Sequence, residues 1–143
     1  MSELHDLREH LERYRSVTLQ CLDLVLDEDL AWRPGPDHFT LGQQFLHIAQ
    51  AEDFQIRVQT VGEWDYERVR LPVHDLGVEY LRERLDETRN RTLSALNEWD
   101  DAGLDEQVKL EGNEPAQTRR WWLWLLVEHE VHHKAQILSL IHI

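Results

Sequence analysis

The amino-acid sequence predicts an all-α protein, a bundle of four helices, and three observations carry that prediction. Apolar residues recur at alternating spacings of three and four in four stretches of about 20 to 25 residues, which gathers them on one side of a helix. Breaks bearing proline or glycine separate those stretches. No period-two alternation persists, and no internal repeat or low-complexity tract is evident. A chain of 143 residues is long enough to bury its own core, so residues 1–143 are expected to form one domain.

The first helix is expected from Ser2, a suitable N-cap, to about Leu26. Its seam is Leu4, Leu7, Leu11, Tyr14, Thr18, Cys21 and Val25. Arg33-Pro34-Gly35-Pro36 then forbids helical continuation. Thr40 opens the second helix with Gln43 three residues on, a capping box, and Gly62 ends it. Its inward row reads His47, Ala51, Phe54 and Val58, flanked by Leu41, Phe45 and Ile48. Residues from Glu63 to Asp75, with Pro72, read as a connection. The third helix runs from about Asp75 to about Trp99 on the seam Val78, Leu81, Leu85, Thr88, Thr92 and Ala95. A polar loop from about Asp100 to Glu114 follows, and Pro115 suits the first turn of the fourth helix. That helix carries Trp122, Leu125, His129, His133, Gln136 and Leu140 on one stripe.

Composition narrows the function classes. The chain is 41% hydrophobic and 30% charged, which fits a globular protein. A net charge of −13 repels phosphate backbones and anionic lipid, so neither a nucleic-acid nor a membrane partner is expected. No run approaches the roughly 20 apolar residues of a membrane span. The first residues lack the charged-then-apolar pattern of an export signal. One cysteine, Cys21, excludes an internal disulfide and suits a reducing compartment. A cytoplasmic location is the expectation.

The chemistry-bearing string is His129-Glu130-Val131-His132-His133. Histidines four residues apart leave the same helix face and can close on one cation. His47, on the inward row of the second helix, supplies a third imidazole, and three imidazoles with an open position make a catalytic type of metal site. His5, His10, His38, His74 and His142 read as solvated turns, loops or chain end. The string also matches the H-E-x-x-H pattern of zinc proteases. Gln136 and Ser139 stand where the extended form needs glycine and histidine, and no later helix exists to supply a glutamate. A carboxylate-bridged di-iron site needs two Glu-x-x-His motifs, and only Glu130 with His133 fits. One metal ion is therefore expected.

With these residues in place, the chain resembles the DinB-like family of metalloenzymes over nearly its whole length. The resemblance rests on Trp32-Arg33-Pro34, on the stretch from Leu41 through His47 to Ala49, and on the stretch from His129 to Ile137. Ala135 stands where relatives often have glycine. The resemblance implies a four-helix bundle with an unusual connection order, commonly a homodimer, and maps the metal ligands onto His47, His129 and His133. It implies a divalent ion, zinc or nickel, and an S-transferase-like reaction with a low-molecular-weight thiol, or isomerisation with such a thiol as cofactor. The expected partners are a small thiol and its electrophile. A non-enzymatic stress-response or binding bundle with a structural metal or none, and a metal-dependent hydrolase, are the competing readings.

Residues around the ligands have two readings each. Glu130 is either a support for a ligand imidazole or a solvated residue of the helix face, and Gln136 either donates to substrate or is a core amide. These two are the catalytic candidates. His132 competes with His133 as a ligand. Glu52 is expected at the surface, and Cys21 is expected as a small core hydrophobe. Trp121, Trp122 and Trp124 are expected in core and interface, with Trp122 able to wall the metal pocket. Arg119 and Arg120 are expected in a solvated turn where they attract an anionic substrate.

Overall fold

In the computed structural model, which describes residues 2–62, 64–72, 75–109 and 115–142, the chain is a bundle of four long helices. They are α1 (Glu3–Leu22), α2 (Leu41–Val61), α3 (Val78–Glu98) and α4 (Arg119–His142). The Ser2 hydroxyl accepts from the His5 N–H and caps α1. Thr40 and Gln43 form the expected capping box, and Gly62 closes α2 with φ +68°.

The first helix stops at Leu22, four residues early, yet Val25 still packs into the core. The last helix starts at Arg119, so Pro115 lies outside it. The Thr118 hydroxyl accepts from the Trp121 N–H and so acts as the cap there. Two-residue strands, β1 (Gln107–Val108) and β2 (Gln117–Thr118), pair antiparallel ahead of α4, a short ladder without a periodic sequence signal. His5 and His10 lie within α1, not in turns, and His10 packs edge-on against Trp124. His74 falls outside the described residues.

The two halves of the chain repeat each other in space, contrary to the expectation of no repeat. Residues of α1 and α3 correspond at an offset of 74: Leu7 with Leu81, Leu11 with Leu85, Arg15 with Arg89, Thr18 with Thr92 and Leu22 with Leu96, every one buried. The bonds correspond as well. The Leu4 N–H donates to Asp101 and the Val78 N–H to Asp27 (3.2 and 2.7 Å), while Arg8 bonds Asn97 and Arg82 bonds Asp23, both at 2.5 Å. At the starts of α2 and α4 the Leu41 N–H donates to Trp32 O and the Arg119 N–H to Glu106 O, at 2.9 and 2.8 Å. From there the offset is 78, with Phe45, Ile48, Ala49 and Glu52 matching Leu123, Leu126, Val127 and Glu130, again all buried. A pseudo-twofold axis therefore relates the half α1–α2 to the half α3–α4, and each helix packs chiefly on helices of the other half. The repeat escapes a linear reading because few residue identities survive and the offset changes midway.

A charged cluster sits on that axis. The Arg15 Nε donates to Glu130 (2.8 Å) and its Nη2 to Glu52 (2.5 Å), while the Arg89 Nε donates to Glu52 (2.8 Å) and its Nη2 to Glu130 (2.6 Å). Arg15 also reaches Leu85 O and Arg89 reaches Leu11 O; the hydroxyls of Thr18 and Thr92 donate to Glu130 and Glu52. All four charged side chains are no more than 7% exposed. Two apolar clusters flank this waist, one around Leu22, Phe45, Leu81 and Leu85, the other around Leu7, Leu11, Leu96 and Leu123. Burying charge is tolerable here because two cations face two anions and the hydrogen bonds are shared out.

This cluster corrects two expectations. Glu52 is not at the surface but 1% exposed, and Glu130 is a buried structural ion instead of a solvated residue. The phase of both site helices shifts with them. The core-facing row of α4 is Leu123, Leu126, Val127, Glu130 and Ile137, so the row from Trp122 through His129 and His133 to Leu140 is only partly buried. In α2 the fully buried row runs through Phe45, Ile48, Ala49, Glu52 and Ile56, leaving His47, Ala51 and Phe54 on its flank. Trp121 to Val127 are apolar nearly all round the helix, which hides the phase from a periodicity reading.

Candidate metal centre

With Glu52 and Glu130 turned inward, the neighbouring histidines are carried to the seam where α2 and α4 meet near the surface. Gln44 approaches His133 and His47 approaches His129, so the two helices run antiparallel there. His47, His129 and His133 are each partly exposed, and each offers one atom within 4.8 Å of the others. Their ring centroids stand 4.4 to 4.7 Å apart. Such a set could hold a metal ion, and three imidazoles suit a borderline cation of the zinc or nickel type.

The electrostatics favour neutral rings, the form that ligates. Burial lowers the pKa of His47. Burial first, then the adjacent His133, His47 and His132, push His129 down to about 3, against a smaller opposing pull from Glu52. Burial and the neighbouring His47 and His132 bring His133 to about 4, while hydrogen bonding of the ring to Gln136 acts the other way. Three rings that cannot share positive charge at neutral pH present lone pairs instead.

The surroundings sort the remaining candidates. The Nε2 atoms of His47 and His129 are 3.0 Å apart. Phe39 packs edge-on against His47, with centroids 5.5 Å apart, and closes one side. Gln44, which the sequence reading overlooked, accepts from His133 Nδ1 at 2.9 Å. Its signal was its place one turn before His47 on the same helix. His132 is exposed, with its Nε2 3.2 Å from the Gln136 amide nitrogen, and stands outside the three-histidine group. Gln136 thus lies at the rim of the site, against His132 and His133. Glu130 does not reach the centre; both its oxygens are held by arginines.

Other expectations settle away from the centre. Arg119 is buried over the Trp99 ring and pairs with Glu106, and Arg120 pairs with Glu3 and Asp105, so neither is held ready for an anion. Cys21 is 2% exposed, and burial raises its thiol pKa, as suits a core residue. Trp124 bonds Glu3 while Trp121 stands exposed. Among the described residues no helix is long and apolar enough to cross a membrane.

Comparisons with known proteins agree with this architecture. The sequence profile of the DinB superfamily matches residues 10–137. A DinB-like protein from Bacillus cereus is similar in structure with a TM-score of 0.76 and 22% identity, over 95% of this chain and 89% of that one. A DinB-like protein from Bacillus subtilis gives 0.76 and 18%, over 96% and 90%. A conserved protein from Enterococcus faecalis gives 0.77 and 17%, over 97% and 95%. No curated protein matches the chain.

Proposed function

The chain belongs to the DinB superfamily, and from that premise we propose that it is a mononuclear metalloenzyme whose ligands are His47, His129 and His133. The carrying observation is the set itself: three imidazoles within 4.8 Å, from two helices, kept neutral by burial and by one another. Zinc or nickel is the ion we assign. We read the reaction as transfer to a low-molecular-weight thiol, with a homodimer in the cytoplasm as the working state. A divalent ion bound there keeps a thiol ionised at neutral pH, which attack on an electrophile requires.

The chain's own residues supply placement. His47 and His129 hold their Nε2 atoms toward each other, and Phe39 covers the His47 ring. Gln136 stands at the rim, within reach of a group bound beside His133. Both neighbouring glutamates are committed to Arg15 and Arg89, so neither is free to act as a general base.

Metal analysis of purified protein tests the centre: about one ion per chain is expected, lost in both His47→Ala and His129→Ala. Retention in both variants would sink the ligand assignment. A chloro-dinitrobenzene-type electrophile assayed with several small thiols, beside ester and amide substrates, separates transferase from hydrolase. Metal without turnover of any of these supports a structural or binding role instead.

A further inference from the structure

We propose that Gln44 is a positioning residue that fixes the tautomer of His133, so that one of the three imidazoles is preset for a cation before any cation arrives. The function this serves rests on the metal-ligand reading; the tautomer does not. Gln44 is buried in the first turn of α2, where its N–H donates to Thr40 O and the Thr40–Gln43 box holds the backbone. Its Oε1 lies 2.9 Å from His133 Nδ1. An amide oxygen only accepts, so the His133 proton sits on Nδ1. A neutral ring has one such proton, which leaves the lone pair on Nε2. Outer partners of this kind orient ligating histidines and set which nitrogen binds.

The three ligands are then not equivalent. The Nε2 atoms of His47 and His129 are 3.0 Å apart, so in the metal-free neutral pair one ring donates its Nε2 proton to the other. That ring must move its proton to Nδ1 before it can ligate, whereas His133 need not change. The pseudo-twofold axis provides an internal control. The counterparts of Gln44 and His133 are Trp122 and Gln55, and in that pair Trp122 Nε1 and Gln55 Oε1 are both buried without a partner. The Gln44–His133 bond is thus no by-product of the repeated scaffold. It belongs to the end of the seam that carries the histidines.

Long-range proton–nitrogen correlation spectra of metal-free, nitrogen-15-labelled protein at pH 7.5 read the tautomer directly. The expected result is His133 protonated at Nδ1 in the wild type and in Gln44→Glu, with a shift toward the Nε2 form in Gln44→Leu. Zinc affinity, from competition with a chromophoric chelator, should fall ~10- to 100-fold in Gln44→Leu and hold within a few-fold in Gln44→Glu. Thermal melts confirm that both variants are folded. A wild-type His133 protonated at Nε2, or a Gln44→Leu variant unchanged in both tautomer and affinity, overturns the proposal. If the wild type shows the Nδ1 form and binds no zinc, the tautomer assignment stands and the metal reading falls.

Discussion

The charged waist and the histidine centre are built from the same two helices, yet they are completed in opposite ways. Glu130 and His129 are adjacent in α4, and Glu52 lies five residues after His47 in α2. The waist is closed: two guanidiniums and two carboxylates use one another, and each arginine reaches a backbone carbonyl across the bundle. The centre is open: three neutral rings share a single contact between ring nitrogens and one buried amide. The waist also obeys the pseudo-twofold axis bond for bond, whereas the centre breaks it, since its counterpart positions hold Ala51, Gln55 and Leu125. A group whose partners all lie within the fold serves the fold. A group with spare lone pairs at a half-exposed seam is available to something else.

The largest effect that sharpens this contrast comes from removing one partner of the waist. Glu130→Ala leaves two buried guanidiniums short of an anion and should cost about 3–5 kcal/mol in denaturant unfolding. Its symmetry counterpart, Glu52→Ala, should cost a comparable amount. A loss below about 1 kcal/mol in either would show that the waist is not closed as described. His129→Ala should shift the stability of metal-free protein far less, because a partly exposed, neutral ring leaves no stranded charge.

A second test targets the broken symmetry. Copying the histidine end onto its counterpart, as Ala51→His, Gln55→His, Leu125→His and Trp122→Gln together, should raise the metal content from one to two per chain. A folded variant that still binds one ion would mean that the two ends of the seam differ in backbone, not only in side chains.

The smallest effect is in pH. The folded-state pKa values of His129 and His133 lie below the ordinary 6.5, so the unfolded chain binds more protons between those values. Their contribution to stability is full above pH 6.5 and is lost as pH falls toward 4 and 3. Burial raises the Glu52 pKa, but Arg15 and Arg89 outweigh it and bring it to about 2, so the waist weakens only below about pH 4.5. Melting of metal-free protein should therefore decline from pH 7 to pH 5, and less steeply in His129→Ala. Parallel slopes in the two proteins would undo the assignment.

Much of this was legible in the sequence. Four helices follow from three-and-four spacing, and the Thr40–Gln43 box and Gly62 mark the ends of α2 as observed. His129 and His133 share a face by spacing alone, His47 joins them from α2, and the three do converge. The waist was not legible, because a periodicity reading sends every charge outward, and only tertiary structure shows that Arg15, Arg89, Glu52 and Glu130 neutralise one another inside. That error also turned α2 and α4 by about one residue and hid the open position of the centre. A local cue existed: Leu11, Arg15 and Thr18 recur at the same spacings as Leu85, Arg89 and Thr92. Gln44 was marked only by its place one turn before His47, because its partner lies on another helix.

The doubled architecture has a consequence for how the chain reaches its native state. Each of the two apolar clusters draws side chains from all four helices, with Leu22, Phe45, Leu81 and Ile137 in one and Leu11, Ile56, Leu96 and Leu123 in the other. One half formed alone therefore completes neither cluster, and its arginine and glutamate keep only the ion pair they make with each other, losing the pairs across the axis. Repetition here does not confer modular independence. It binds the halves into one cooperative unit, and the seam between α2 and α4 that carries the histidines comes into being only when both halves have docked.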